Sequence, residues 1–101
     1  MNDPVTELAI FKTIPTVSEQ SFREAVLASD RFLRSGPGFV SRRLSHSRET
    51  GEWIDVVLGC DLATAQAAAQ NFMAAPDAQA FRRCIDPASV QMRHGSPFHS
   101  A

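Results

Sequence analysis

His94 closes a short alternating run, Val90-Gln91-Met92-Arg93-His94. An imidazole at the end of a core strand can take a proton from a bound molecule close to neutral pH, so His94 is a candidate base. Asp55 lies between Trp53 and Val57 on one face of a second apolar run. A carboxylate in that position needs a donor, because a buried unpaired charge is heavily penalised. Alternation sends only one of the adjacent Arg42 and Arg43 to any pocket, and Arg43 is expected to be that one, as partner to Asp55 or to an anionic ligand. Trp53, Phe72 and Phe11 offer flat apolar surface on which an aromatic ligand can lie. The plainer readings are a surface hydrogen bond for His94, an interface ion pair for Asp55, and packing anchors for the rings. Cys60 and Cys84 lack metal-ligand spacing and lie in apolar surroundings, as ordinary buried thiols do. No metal site and no cofactor motif is read from the chain.

The elements that must position these residues follow from periodicity and breakers. Val5 to Ile14 is rich in β-branched and aromatic residues and stops at Pro15, which predicts a strand with Leu8, Ile10 and Ile14 on one face and Glu7, Ala9, Phe11 and Thr13 on the other. Thr16-Val17-Ser18-Glu19 has the form of a capping box. The helix after it carries Phe22, Ala25, Val26, Ser29, Phe32 and Leu33 at helical spacing, and Gly36-Pro37-Gly38 ends it, with a glycine in the left-handed C′ conformation. Phe39 to His46 and Glu52 to Cys60 read as strands joined by a polar, glycine-containing hairpin loop. Asp61 is the predicted N-cap of a second helix whose stripe of Ala65, Ala68, Ala69, Phe72 and Met73 should let it approach a sheet closely. Pro76 interrupts that helix, Asp77 is expected to cap a shorter segment carrying Ala78, Phe81, Cys84 and Ile85, and Ser89 to His94 is the last strand.

The order strand, helix, strand, strand, helix, strand predicts an α+β domain, ferredoxin-like βαββαβ, with both helical regions on one face of an antiparallel four-stranded sheet. A length of 101 residues with 44% hydrophobic content fits a single domain spanning 1–101. A net charge of −1 gives no footprint for a phosphate backbone, so nucleic acid is not an expected partner. The start Met1-Asn2-Asp3-Pro4 has no signal-like charge and apolar run, and no stretch reaches membrane-spanning length; a cytoplasmic protein without a membrane partner is expected.

Two helices can shelter only half of such a sheet. On the third strand Ile54, Val56 and Leu58 occupy one face and Trp53, Asp55 and Val57 the other, so either choice leaves apolar groups uncovered. At about 25 cal/mol per Å² of apolar surface removed from water, an identical subunit is the economical cover, and a homodimer is expected.

Pro37-Gly38-Phe39-Val40-Ser41-Arg42-Arg43, Gly51-Glu52-Trp53-Ile54-Asp55-Val56-Val57, the Asp61-to-Met73 helix and the closing Ile85-to-His94 segment resemble the antibiotic biosynthesis monooxygenase superfamily, over nearly the whole chain. The resemblance implies a dimeric α/β barrel with a pocket in each subunit between sheet and helices. It also implies a function among cofactor-independent oxygenases of aromatic polyketides and quinols, haem-degrading enzymes, or relatives that only bind. The oxygenases commonly use a tryptophan, an asparagine and a tyrosine in the pocket, whereas this chain has no tyrosine, its one tryptophan is on the third strand, and Cys60 stands where an aromatic is common. Haem degradation would need a histidine on the second helical region, and Asp61 to Ile85 contains none.

Two functions are therefore expected from different classes. In one, a cofactor-independent monooxygenase, His94 or Asp55 deprotonates a small aromatic or quinol substrate, Arg43 steadies the anion, Trp53, Phe72 and Phe11 hold the ring, and molecular oxygen reacts with the anion. In the other, a dimeric binding or stress-associated module takes up the same ligand without converting it.

Overall fold

The structure is a computed structural model describing residues 3–101; Met1 and Asn2, the start of the segment read for a targeting signal, lie outside the described residues. Its elements are β1 (Val5–Phe11), α1 (Glu19–Ser35), β2 (Phe39–His46), β3 (Trp53–Gly59), α2 (Leu62–Phe72), α3 (Pro76–Cys84), a 3₁₀ turn at Pro87–Ser89, and β4 (Gln91–Gly95). The four strands form one sheet in the order β2-β3-β1-β4, every pair antiparallel. This is the ferredoxin-like βαββαβ arrangement, with the second helical region split at Pro76. A proline fits the first turn of α3, where its missing N–H is not needed.

Several local expectations are corrected. The first helix is capped by Ser18, whose hydroxyl accepts the Ser21 N–H at 3.1 Å, and not by Thr16. Val17 thereby becomes the residue before the cap and packs on the cluster containing Phe22, four positions into the helix, which fixes the chain's entry angle. Gly36 at the helix end is extended, and it is Gly38 that takes the left-handed conformation, at φ +79°. A Cβ on Gly38 would come within 2.6 Å of the Cys60 sulfur and 2.7 Å of the Thr64 hydroxyl oxygen, so both backbone shape and space demand glycine there. Ala75, not Asp77, occupies the cap position of α3, and Asp77 sits in its first turn. The first and last strands are shorter than read: β1 ends at Phe11, with Thr13 bridging to Ile85, and β4 begins only after the 3₁₀ turn.

Register assigns the two faces of the sheet. Pairing of Phe11 with Trp53, Ala9 with Asp55, and Glu7 with both Val57 and His94 puts these residues together on the helix-covered side. There Phe11, Phe22, Ala25, Phe81 and Cys84 form the buried core, with Trp53 and Leu44 packed against it. Phe22 lies 4.6 Å from the Trp53 ring and 5.7 Å from Phe81, and Phe11 meets Phe81 edge-on at 5.7 Å, within the range where aromatic pairs attract beyond simple burial. The opposite side carries Leu8, Ile10, Ile54, Val56 and Leu58, half-buried and covered by no element among the described residues.

Candidate functional site

α1 and α3 press their aromatic faces onto one end of the sheet, but α2 does not follow them down. No residue of α2 is buried, and its Ala65, Ala68, Ala69 and Phe72, with Met73 at its C-terminal cap, border a cavity of about 470 Å³ between helix and sheet. The alanine stripe therefore leaves room where close helix-to-sheet contact was expected. Phe11, Phe32, Phe81 and Val57 complete much of the wall, and Pro37, Gly38 and Phe39 close one side. The volume lies within the range of small-molecule sites, and the lining is mostly apolar with a few polar groups, as such sites are.

Those polar groups differ sharply in how they are held. Arg42 and Asp55 both reach the cavity wall and both are spent on each other: Nε of Arg42 donates to Oδ1 of Asp55 at 3.0 Å and Nη2 donates to Oδ2 at 2.8 Å. Nη1 donates to the Ser29 hydroxyl at 2.6 Å and to Oδ1 of Asp30 at 3.1 Å, while the guanidinium lies over the Phe81 ring, 4.9 Å from its centroid. With side-chain exposures of 6% for Arg42 and 10% for Asp55, this clamp joins α1, β2, β3 and α3. Burial alone would lower the arginine's pKa, but the Asp55 and Asp30 carboxylates outweigh it and hold the value above the ordinary one. Proton uptake by Asp55 would have to break a bidentate ion pair, which suits a structural part better than that of a base.

Arg43, the arginine expected at the pocket, instead pairs with Val56 on the uncovered face. The cause is a bulge between Phe39 and Ser41. Strict alternation from Phe39, which borders the cavity, would turn Arg43 inward; the extra residue shifts the parity and presents Arg42 instead. Arg82 is the other arginine at the cavity. It donates to the Met73 carbonyl at 2.7 Å and to the Gln79 side chain at 3.3 Å, and no carboxylate lies within ion-pair distance of it among the described residues.

Glu7 is the carboxylate that sequence reading passed over. It borders the cavity, and its Oε2 lies 2.9 Å from Nε2 of His94, directly across the β1–β4 ladder. His94 itself stands behind Glu7 and borders a second, outer hollow with Asp3, Val5, Asp61 and Leu62. Of the other predicted site residues, Phe11 and Phe72 border the cavity, whereas Trp53 does not. Trp53 is held between Phe22 and the His46 ring, 4.3 Å away. The signal for Glu7 was present: a charged residue on the same strand face as Ala9 and Phe11, the face the helices cover. Its partner is 87 positions away, beyond the reach of any local pattern. Among the described residues no group of three or more His, Cys, Asp or Glu side chains is arranged to hold a metal ion, and no helix is long and apolar enough to cross a membrane.

Comparison with solved structures places this geometry. The chain is similar to SnoaB, a cofactor-independent oxygenase from Streptomyces nogalater, at 22% identity and a TM-score of 0.67, covering 98% of this chain and 95% of that one. It is similar to a Bordetella bronchiseptica protein named for the antibiotic biosynthesis monooxygenases, at 17% identity and a TM-score of 0.79 over 97% of this chain and 100% of the other. A Shewanella loihica protein named as a monooxygenase superposes at a TM-score of 0.70 with 23% identity and 99% of each chain covered. No family model matches the chain, and no curated protein matches it. The fold is that of the antibiotic biosynthesis monooxygenase structures, in agreement with the resemblance seen in sequence.

Proposed function

We propose that the chain is a homodimeric small-molecule-binding protein that oxygenates a flat aromatic substrate without a cofactor. The observation that carries this reading is Glu7, the one carboxylate at the cavity wall not held by an arginine among the described residues. Facing a mostly apolar space, it is placed to take a proton from an acidic C–H or O–H, and the aromatic walls hold the ring. Arg82 takes the part that Arg43 had in the sequence reading, steadying the anion that forms. The oxygenase activity named for SnoaB, a structural neighbour, supports the same direction.

For a substrate whose reacting carbon is a methylene, the chemistry balances without any other reactant. The base removes one hydrogen as a proton and leaves the electron pair on the ring-stabilised carbon. Molecular oxygen adds there, and the peroxide takes a proton to give a hydroperoxide. Loss of water then breaks the O–O and remaining C–H bonds and leaves a carbonyl, so that CH₂ and O₂ become C=O and H₂O. Anthrone, whose methylene lies between two aromatic rings and whose tautomer is a phenol, is a suitable probe. The parent protein should accelerate its oxygen uptake and form anthraquinone, and Glu7→Gln should lower kcat by about 100-fold. Equal turnover by parent and Glu7→Gln would sink the assignment. Tight anthrone binding without oxygen uptake would favour the binding module, a reading to which the full engagement of Asp55 by Arg42 lends weight.

The dimer reading is supported by the uncovered aliphatic face of Leu8, Ile10, Ile54, Val56 and Leu58. Light scattering at micromolar concentration should give twice the 11.0 kDa chain mass; a stable particle of single mass would contradict it.

A further inference from the structure

The Glu7–His94 pair is unusual in that its two members open onto different spaces. Glu7 borders the inner cavity, and His94 borders the outer hollow with Asp3 and Asp61. Between them runs one contact of 2.9 Å, from Oε2 to Nε2. Ladder pairing sets the two residues opposite each other, so the contact is fixed by strand register and not by a flexible reach. Nδ1 of His94 and Oε1 of Glu7 have no hydrogen-bond partner among the described residues. Each end of the pair is thus open on its own side.

We propose that Glu7 and His94 form a proton path along the helix-covered face at the sheet edge, carrying a proton from a molecule in the inner cavity to water in the outer hollow. The proposal rests on the reading of Glu7 as the base. When the ligand's C–H or O–H bond breaks, its electron pair stays on the ligand and the proton adds to the Glu7 carboxylate. Starting from the Nδ1–H tautomer of His94, the carboxylic acid passes a proton to Nε2, regenerating the carboxylate, and the imidazolium releases the proton on Nδ1 to water; proton exchange with water in the outer hollow then moves the remaining ring proton from Nε2 back to Nδ1 and resets the pair. One proton enters and one leaves, with no oxidant or reductant involved. His94 meets the carboxylate of Glu7 from β1, and it borders the outer hollow together with Asp3 from the segment before β1 and Asp61 from the N-cap of α2. Asp61 is held anionic by the Thr64 backbone N–H and hydroxyl, which lower its pKa. His94 on this view is a positioning residue that acts through Glu7, and it never touches the ligand.

The test separates proton transfer from oxygen chemistry by leaving oxygen out. Anthrone is incubated with the protein in D₂O under nitrogen, and replacement of its methylene hydrogens by deuterium is followed by NMR. The parent should exchange them well above the uncatalysed rate. His94→Gln, which keeps a donor toward Glu7 but cannot relay a proton, should slow exchange by about 10-fold or more while anthrone affinity by calorimetry changes less than about two-fold. His94→Ala should be equally slow and be restored, saturably, by added imidazole entering through the outer hollow, whereas Glu7→Gln should be slow and beyond such rescue. Exchange at the parent rate in His94→Gln, absence of imidazole rescue in His94→Ala, or no catalysed exchange by the parent would each overturn the path. Exchange that needs both residues, without catalysed oxygen uptake in air, would uphold the path and reject the oxygenase reading.

Discussion

The helix-covered side of the sheet has two halves built on opposite principles. At one end Phe11, Phe22, Phe81 and Trp53 interlock under α1 and α3, with Ala25 and Ala78 filling the gaps. At the other, α2 presents alanines across an open space of about 470 Å³ and buries none of its residues. The same antiparallel strands floor both halves. What separates a solid core from a cavity here is side-chain volume on the helices, because close packing follows where large groups meet and fails where small ones face each other. The Arg42–Asp55 clamp stands at the boundary and belongs to both: it ties α1 and α3 to the sheet, and it forms part of the cavity wall.

That boundary is the most sensitive place to break the comparison. Arg42→Met should cost about 3–5 kcal/mol in urea denaturation, since it strands the Asp55 charge in a buried position. The double change Arg42→Met with Asp55→Leu should recover most of that loss. A single substitution as costly as expected, with no recovery in the double, would mean that the clamp matters for shape and not for charge. A milder pair of changes compares the halves directly. Ala78, fully buried at 0% exposure, has no room for more atoms, so Ala78→Leu should destabilise by about 1–3 kcal/mol through overpacking. Ala68 faces the cavity, so Ala68→Leu should shift stability by less than about 0.5 kcal/mol while weakening anthrone binding by occupying its space. Equal costs at the two positions would show that the cavity is not open in solution.

Much of the architecture is legible from local pattern because each signal acts over a few residues. Period-two alternation marks β1 and β3, helical spacing marks α1, and Asp61, Pro76 and Asp86-Pro87 punctuate the second half. The site is less legible, and for definite reasons. A bulge between Phe39 and Ser41 leaves no mark in the sequence, yet it decides that Arg42 and not Arg43 turns inward. An alanine stripe is equally consistent with a helix lying tight on a sheet and with one standing off it; only the aromatic props of the neighbouring half settle which. The Glu7–His94 contact joins the first strand to the last, so His94 could be singled out as a base while the carboxylate between it and the cavity went unseen.

The smallest expected effect concerns what keeps α2 in place when packing contributes so little. Its start is secured by Asp61, whose Oδ1 accepts the Thr64 N–H at 2.8 Å and the Thr64 hydroxyl at 2.9 Å. The backbone bond first and the hydroxyl bond second lower the carboxyl pKa below its ordinary 3.8. A group whose folded pKa is depressed stabilises the fold well above its unfolded value and loses that contribution as pH falls through the folded one. The melting-temperature gap between the parent and Asp61→Ala should therefore be full near neutrality and close in the acid range below 3.8. Asp61→Asn tests which property matters, because asparagine caps a helix about as well as aspartate but does not titrate. Its gap over Asp61→Ala should persist into acid where the parent's closes. An asparagine variant as weak as the alanine one at neutral pH would instead assign the effect to the negative charge at the helix start, leaving the cavity-side helix held by its dipole and not by its cap.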